Sequence, residues 1–411
     1  MNTQLPPRSP LLLRQPLLDA KQEPAGYALH FADATANEIA AAFAPAEDDE
    51  ASLGSALSGR PLLLRANAAL VMSEAVIALP KNVVLELDFT GDALTGETLA
   101  PELLDRCRLL HAAGRPLALP ADAAWSTELL PLASFAIIDA GAGDETLAAT
   151  VGRLTERSGL RLLADRVESP ARMAHCRELG CELFRGLYFA RLRPSEGRSM
   201  NASQLGIIRL LNQVAREADE HDIEEGFKRE PGLTVNLLRL VNAVGIGAAK
   251  KVDSLRHAIA ILGRKQMMLW LQLLLMASPD GRGAPERNPL LQLAAQRGGL
   301  MERLAAERSR KDRALAEEAF LVGIMSLMPA ALGQSIDDIL AQIPVAERVH
   351  RALTAHDGEL GPLLALAEAL DDGDAVRCDA IMAGLPPLSR ESVSAHLRNV
   401  LVWLHGDGGE V

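Results

Sequence analysis

The chain has 411 residues, of which 48% are apolar and only 3% aromatic, and it carries a net charge of −12. The apolar share is enough for large aliphatic cores and excludes wholesale disorder. The acidic balance, present in both halves, excludes general binding to nucleic acid or to anionic membrane surfaces, because both need Lys/Arg clusters.

Pro6, Pro7 and Pro10 lead only to the short run Leu11-Leu12-Leu13, which Arg14 ends, so the start does not read as a secretory signal. Short β-like runs then recur at residues 11–14, 26–31, 61–66, 83–89, 116–120, 135–139, 161–165 and 186–190. Helical patterns at 101–113, 146–158 and 170–179 are each followed by a glycine (Gly114, Gly159, Gly180), where a helix C-terminus favours one. Near-continuous apolar strands alternating with helices predict a mostly parallel sheet, closed into a reduced TIM-like (β/α) barrel, with a doubly wound sheet as the alternative. The rhythm changes at residues 191–201, which contain Pro194 and Gly197. The expected division is therefore an α/β domain over 1–198 and an all-helical domain over 199–411. In the second part, helices are expected near 205–215, 233–243, 254–262 (ended by Gly263), 264–277, 290–309, 313–328, 336–343, 345–355, 362–371, 374–383 and 389–405. The segment 267–277 is too short to span a bilayer and reads as a core helix, or as a homodimer or partner contact if exposed. The four cysteines form no CxxC pair, which fits reduced thiols in a cytoplasmic protein.

A (β/α) barrel does its chemistry at the C-terminal ends of its strands. Those ends carry Arg65, Glu86, Asp88, Pro120, Ala121, Asp139, Asp165 and Glu168. Converging carboxylates can hold Mg²⁺ and activate water on a phosphodiester. Against that, one strand ends in an arginine and another in Pro120-Ala121, which bind no metal. The dipeptides His221-Asp222 and His356-Asp357 read as helix-terminal residues rather than metal ligands. The glycine-containing stretch 245–251 lacks the spacing of a phosphate loop and reads as a helix connection. No G-x-S-x-G elbow and no H-E-x-x-H pair occurs.

Several stretches carry a family resemblance. Leu13-Arg14-Gln15-Pro16-Leu17 with Gly26-Tyr27, Val83-Val84-Leu85-Glu86, Leu163-Ala164-Asp165-Arg166-Val167-Glu168, and Phe184-Arg185-Gly186-Leu187-Tyr188-Phe189 resemble, in order and spacing, the motifs of an EAL domain, the fold of cyclic-di-GMP phosphodiesterases. Leu237-Leu238-Arg239-Leu240-Val241-Asn242, Val252-Asp253-Ser254-Leu255 and Phe320-Leu321-Val322-Gly323 resemble an HDOD domain, an HD-related output domain. Together the halves look like the EAL–HDOD (YuxH-type) bacterial signalling proteins over nearly the whole chain.

The resemblance also locates departures. The glutamate of the EAL motif falls on Ala28, the metal-binding asparagine on Arg65, the paired aspartates on Pro120 and Ala121, the catalytic lysine on Ile137, and the glutamine before the last glycine on Arg185. Glu86, Asp139 and Glu168 remain as remnants of the site. The resemblance then implies a catalytically inactive signalling scaffold that is not an enzyme, with no metal or cofactor, and with other signalling proteins as partners. The alternative is a cyclic-di-GMP receptor in which Arg65 and Arg185 contact phosphate directly. A residual metal-dependent phosphodiesterase is the third reading.

Overall fold

The β-like runs pair into a closed barrel of eight strands in the computed structural model. The structure describes residues 9–44, 53–57, 59–89, 94–95, 98–155, 159–191, 202–243, 254–276, 287–343 and 345–405. The stretch 245–251, the acidic run 47–50, and most of the segments 191–201 and 279–289 lie outside the described residues.

The strands are β1 (Leu11–Asp19), β2 (Pro24–Ala32), β3 (Leu62–Ala66), β4 (Val83–Leu87), β5 (Leu94–Thr95), β6 (Thr98–Leu99), β7 (Leu117–Pro120), β8 (Phe135–Asp139), β9 (Arg161–Asp165) and β10 (Leu183–Arg185). Around the barrel the order is β1-β10-β9-β8-β7-β4-β3-β2, with β5 and β6 forming a separate two-stranded ribbon. β1 runs antiparallel to both of its neighbours, and the other barrel neighbours are parallel. Alternation along each strand sends every second side chain inward. Leu17, Ala28, Leu63, Val84, Ala118, Phe135, Ile137, Leu163 and Leu183 form that interior, at least one from every strand. Ala28 and Ile137 are thus packing residues of a filled barrel.

The eighth strand is shifted from its expected place at 186–190 to Leu183–Arg185. The apolar run continues through Phe189, but Gly186 adopts φ 143°, and a Cβ there would lie 2.2 Å from the Val167 carbonyl oxygen. Only glycine fits this close approach, and the extended run stops at it.

β1 and β2 are joined by a tight turn, so no helix from that connection can cover their outer faces. Residues from the C-terminal end of the chain take that role. The Leu12 N–H donates to Ser394 Oγ (2.9 Å), and the Ser394 hydroxyl donates to the Pro10 carbonyl (3.2 Å). Arg390 binds both Asp379 carboxylate oxygens (2.7 and 2.6 Å), Asp33 (2.6 Å) and the Ser9 carbonyl (3.2 Å). The Tyr27 hydroxyl and His405 Nε2 are 2.7 Å apart. Accordingly the chain divides into Met1–Phe189 with Leu366–Gly409 as one unit, and Ala190–Ala365 as the other. This departs from the expected split at 198/199, because the last helices join the barrel instead of the helical region.

In the helical unit the helices are Ala202–Ala215, Glu220–Lys228, Pro231–Ala243, Leu255–Met276, Pro289–Arg308, Arg313–Met325, Met328–Leu332, Ile336–Leu340 and Glu347–Ala355. Met267, Leu271 and Leu275 are buried while Met268, Leu269, Trp270, Leu273 and Leu274 are half-buried, so one face of the apolar segment is core. Two stretches, Leu255–Leu275 and Arg313–Leu332, are long and apolar enough to cross a membrane by length and hydropathy. The first is interrupted at Gly263, and the second by the turn at Ser326-Leu327. Neither is therefore one continuous helix of the ~20 residues that a span requires. His221-Asp222 lies in the first turn of its helix, capped by Asp219. His356 is the left-handed cap of Glu347–Ala355, and Asp357 pairs with Arg351.

Candidate functional site at the barrel mouth

Seven parallel strands end on the same side of the barrel, and there the structure holds a cavity of about 240 Å³. Its polar walls come from Arg14 and Gln15 on β1, His30 on β2, Arg65 on β3, Glu86 on β4, Asp165 and Arg166 at the end of β9, and Arg185 on β10, with Asp372 and Gly373 from the C-terminal segment. Ala28 lies at its floor, where the barrel interior begins.

Arg185 organises the centre. Its Nη1 and Nη2 donate to the two oxygens of Glu86 at 2.6 and 2.9 Å. Its Nε and Nη2 donate to the two oxygens of Asp165 at 2.6 and 2.7 Å. A planar guanidinium matches a carboxylate through two parallel bonds, and here it does so twice. The side chains of Arg185 and Glu86 are only 11% and 12% exposed. Burial pulls the Arg185 pKa down, but Glu86 and Asp165 outweigh it, and the net shift is upward. The cation is therefore fixed.

Two more arginines meet carboxylates at the rim. Arg65 donates from Nε to Asp88 (2.7 Å), and Arg166 from Nε to Asp139 (2.8 Å). Arg166 has φ 55°, and its own N–H is held by Asp165 Oδ1 at 2.8 Å. Arg14 is 3% exposed, and its guanidinium lies 4.0 Å over the Tyr27 ring. Burial lowers its pKa, and its Nε has no hydrogen-bond partner among the described residues. Burial, then the charge of Arg65, likewise lowers the pKa of His30 and favours its neutral ring.

The divalent cations that the third reading, a residual metal-dependent phosphodiesterase, would need do not fit this arrangement. The guanidinium of Arg185 stands between Glu86 and Asp165 and engages both oxygens of each. Among the described residues no group of three or more His, Cys, Asp or Glu side chains is placed to hold a metal ion.

Of the residues singled out from sequence, Glu86, Arg65, Arg185 and Ala28 converge on the cavity. Asp139 is drawn away to Arg166, Glu168 is exposed, and neither lines the cavity. Pro120, Ala121 and Ile137 are also absent from its walls. Sequence reasoning placed Asp165 at a strand end but missed its pairing with Arg185. It also missed Arg14, Gln15, His30 and Asp372. The buried Arg14 had a local signal, a charge beside Leu11-Leu12-Leu13. Asp372 had none, being some 350 residues from β1.

Comparison with known proteins then adds four findings. The HDOD domain family matches residues 200–343. The protein named cyclic di-GMP phosphodiesterase CdgJ, from Vibrio cholerae, is 28% identical over 378 residues, covering 88% of this chain and 84% of its own. YuxH of Bacillus subtilis is 23% identical over 409 residues, covering 95% and 97%. Among solved structures, a standalone EAL protein from Vibrio cholerae in its c-di-GMP-bound form is similar over 45% of this chain and 92% of its own, at 18% identity and a TM-score of 0.33. The similarity to CdgJ overturns the expectation that this chain is not an enzyme, since a relative matching most of its length is named as one.

Proposed function

Because an HDOD domain at residues 200–343 follows an EAL-like eight-stranded barrel in a chain homologous to CdgJ and YuxH, we propose that the protein works in cyclic-di-GMP signalling: it takes the dinucleotide at the barrel mouth and passes that occupancy to protein partners through its helical region. The observation that carries this reading is the gathering of Arg14, Arg65, Arg166 and Arg185 around one cavity. A guanidinium fork matches the paired oxygens of a phosphodiester as well as it matches a carboxylate. Ion pairing holds Arg65, Arg166 and Arg185 in place beforehand, so little side-chain freedom is left to lose on binding. Arg65 and Arg166 are the accessible ones, with side chains 47% and 63% exposed. Contact with phosphate through these arginines requires no metal ion.

Calorimetric titration of the full chain with cyclic-di-GMP tests the reading. Saturable micromolar binding is expected, weakened about tenfold in Arg65→Ala by the loss of a charge-assisted hydrogen bond. Silence at high ligand concentration, repeated in an orthogonal binding assay, would sink it. Product analysis of the same samples, with and without Mg²⁺, measures turnover directly. Hydrolysis lost in Glu86→Gln would place that turnover in this cavity.

A further inference from the structure

Neighbouring parallel strands of a barrel bring residues in register to one height. Ala28, Leu63 and Val84, on β2, β3 and β4, are register partners in the barrel interior. The residues two positions further along, His30, Arg65 and Glu86, form the next row toward the mouth, and all three line the cavity. Arg65 is ion-paired with Asp88, and Glu86 with Arg185. His30 differs from both, because its ring makes no hydrogen bond among the described residues. A half-buried imidazole thus stands in the cavity wall with two uncommitted nitrogens. The charges that face it from other elements already have partners. On β1 its register partner is the apolar Leu13, Arg14 lies over Tyr27, and Gln15 donates to the carbonyls of Asp371 (3.3 Å) and Asp372 (3.1 Å). Asp33, just past β2, accepts from Arg390 (2.6 Å), and Asp372 pairs with Arg377. Across the mouth, Arg185 holds Asp165 and Arg166 holds Asp139. Burial, then Arg65, lowers the His30 pKa from 6.5 against the opposing pull of Asp88, Glu86 and Asp33, so the ring is neutral at pH 7.

We propose that His30 is a phosphate-binding residue of this cavity, and that it takes up a proton as a phosphodiester ligand enters beside Arg65. A neutral imidazole offers one N–H donor, whereas the imidazolium offers two and meets the phosphate with charge as well. A close opposite charge favours the charged ring by roughly 1–3 pKa units. The phosphate also offsets Arg65, the charge that acts most against protonation of the free ring. The complex therefore binds more protons than the free protein, and affinity rises as pH falls toward the pKa of the free ring. A phosphodiester and a guanine base each keep one charge state near neutral pH, so the ligand adds no titration of its own. The inference rests on the cavity being the cyclic-dinucleotide site, and makes pH a control on its occupancy.

Calorimetric titration of the full chain with cyclic-di-GMP at pH 8 and pH 6, in buffers of different ionisation enthalpy, tests it. Affinity should rise about tenfold from pH 8 to pH 6, with proton uptake read as a buffer-dependent heat. His30→Gln keeps a donor but cannot titrate. It should bind within about twofold of the wild type at pH 8 and lose both the pH dependence and the buffer dependence. His30→Asn carries the same reading if His30→Gln folds poorly. His405→Gln, which removes another barrel histidine of lowered pKa, should keep both dependences. Equal wild-type affinity at the two pH values, or a pH dependence that survives in the His30 variants, overturns the role of His30 while leaving the ligand assignment intact. Absence of binding by the wild type at both pH values removes the ligand assignment, and the role of His30 falls with it.

Discussion

At the scale of single residues, Arg185 decides the character of the barrel mouth. It comes from the last position of β10 and engages carboxylates from β4 and β9, so it ties three strands together. Removing one partner of a buried ion network leaves the others desolvated and facing like charge. Arg185→Met should therefore destabilise the barrel by about 3–5 kcal/mol in urea unfolding. Part of that loss should return when Glu86→Gln is added, because the double variant no longer buries two unpaired carboxylates. If the single and double variants unfold at the same midpoint, charge repulsion is not what Arg185 relieves. Ala28 and Ile137 make the complementary point. Both are packed in the aliphatic interior beneath this network. The apolar interior and the ion-paired lid above it thus share the barrel, one layer each.

At the scale of elements, the helix Arg390–His405 works as a missing outer helix for β1 and β2. Its N-terminal end is fixed by Arg390, whose bonds to Asp379 and then Asp33 outweigh burial and raise its pKa. Its other end is fixed by the contact between His405 and Tyr27. Burial, then Arg14 and Arg60, pushes the His405 pKa down from 6.5 to about 4. The unfolded chain therefore binds this proton more readily than the folded one. The contribution of the neutral ring is complete above pH 6.5, declines as pH falls, and is gone below about 4. Urea unfolding should show stability falling by on the order of 2 kcal/mol across that window, with a smaller fall in His405→Gln. Equal pH dependence in both proteins would show that His405 does not carry it.

At the scale of the whole molecule, the barrel unit is discontinuous in sequence. Residues 1–198 contain all eight strands but lack the segment that covers β1 and β2. Expressed alone, that fragment leaves Leu12, Pro10 and Asp33 without Ser394 and Arg390, and exposes the apolar outer face of the hairpin. It should show no cooperative thermal transition by circular dichroism, whereas residues 199–365, which contain the HDOD match, should melt cooperatively. A sharp transition in the 1–198 fragment would show that the C-terminal cover is dispensable.

The extent of legibility follows the range of the forces involved. Near-continuous apolar runs, the terminal glycines at 114, 159 and 180, and the break at Gly263 act within a few residues, so they were enough to predict strands, helices and a mostly parallel sheet beside an all-helical region, with closure into a barrel preferred over a doubly wound sheet. Ala28, Arg65 and Arg185 were singled out through the family resemblance, and their gathering at one cavity came only with the closed barrel. The end of β10 escaped because Gly186 is set by contact with Val167, a neighbour only in the folded barrel. The pairing of Arg185 with Glu86, 99 residues away, and the docking of Asp372 at Gln15, 357 residues away, depend on closing the barrel and bringing the chain back to it. Charges can be counted along a sequence, but which of them neutralise one another is decided by distance in space, and that only the tertiary structure provides.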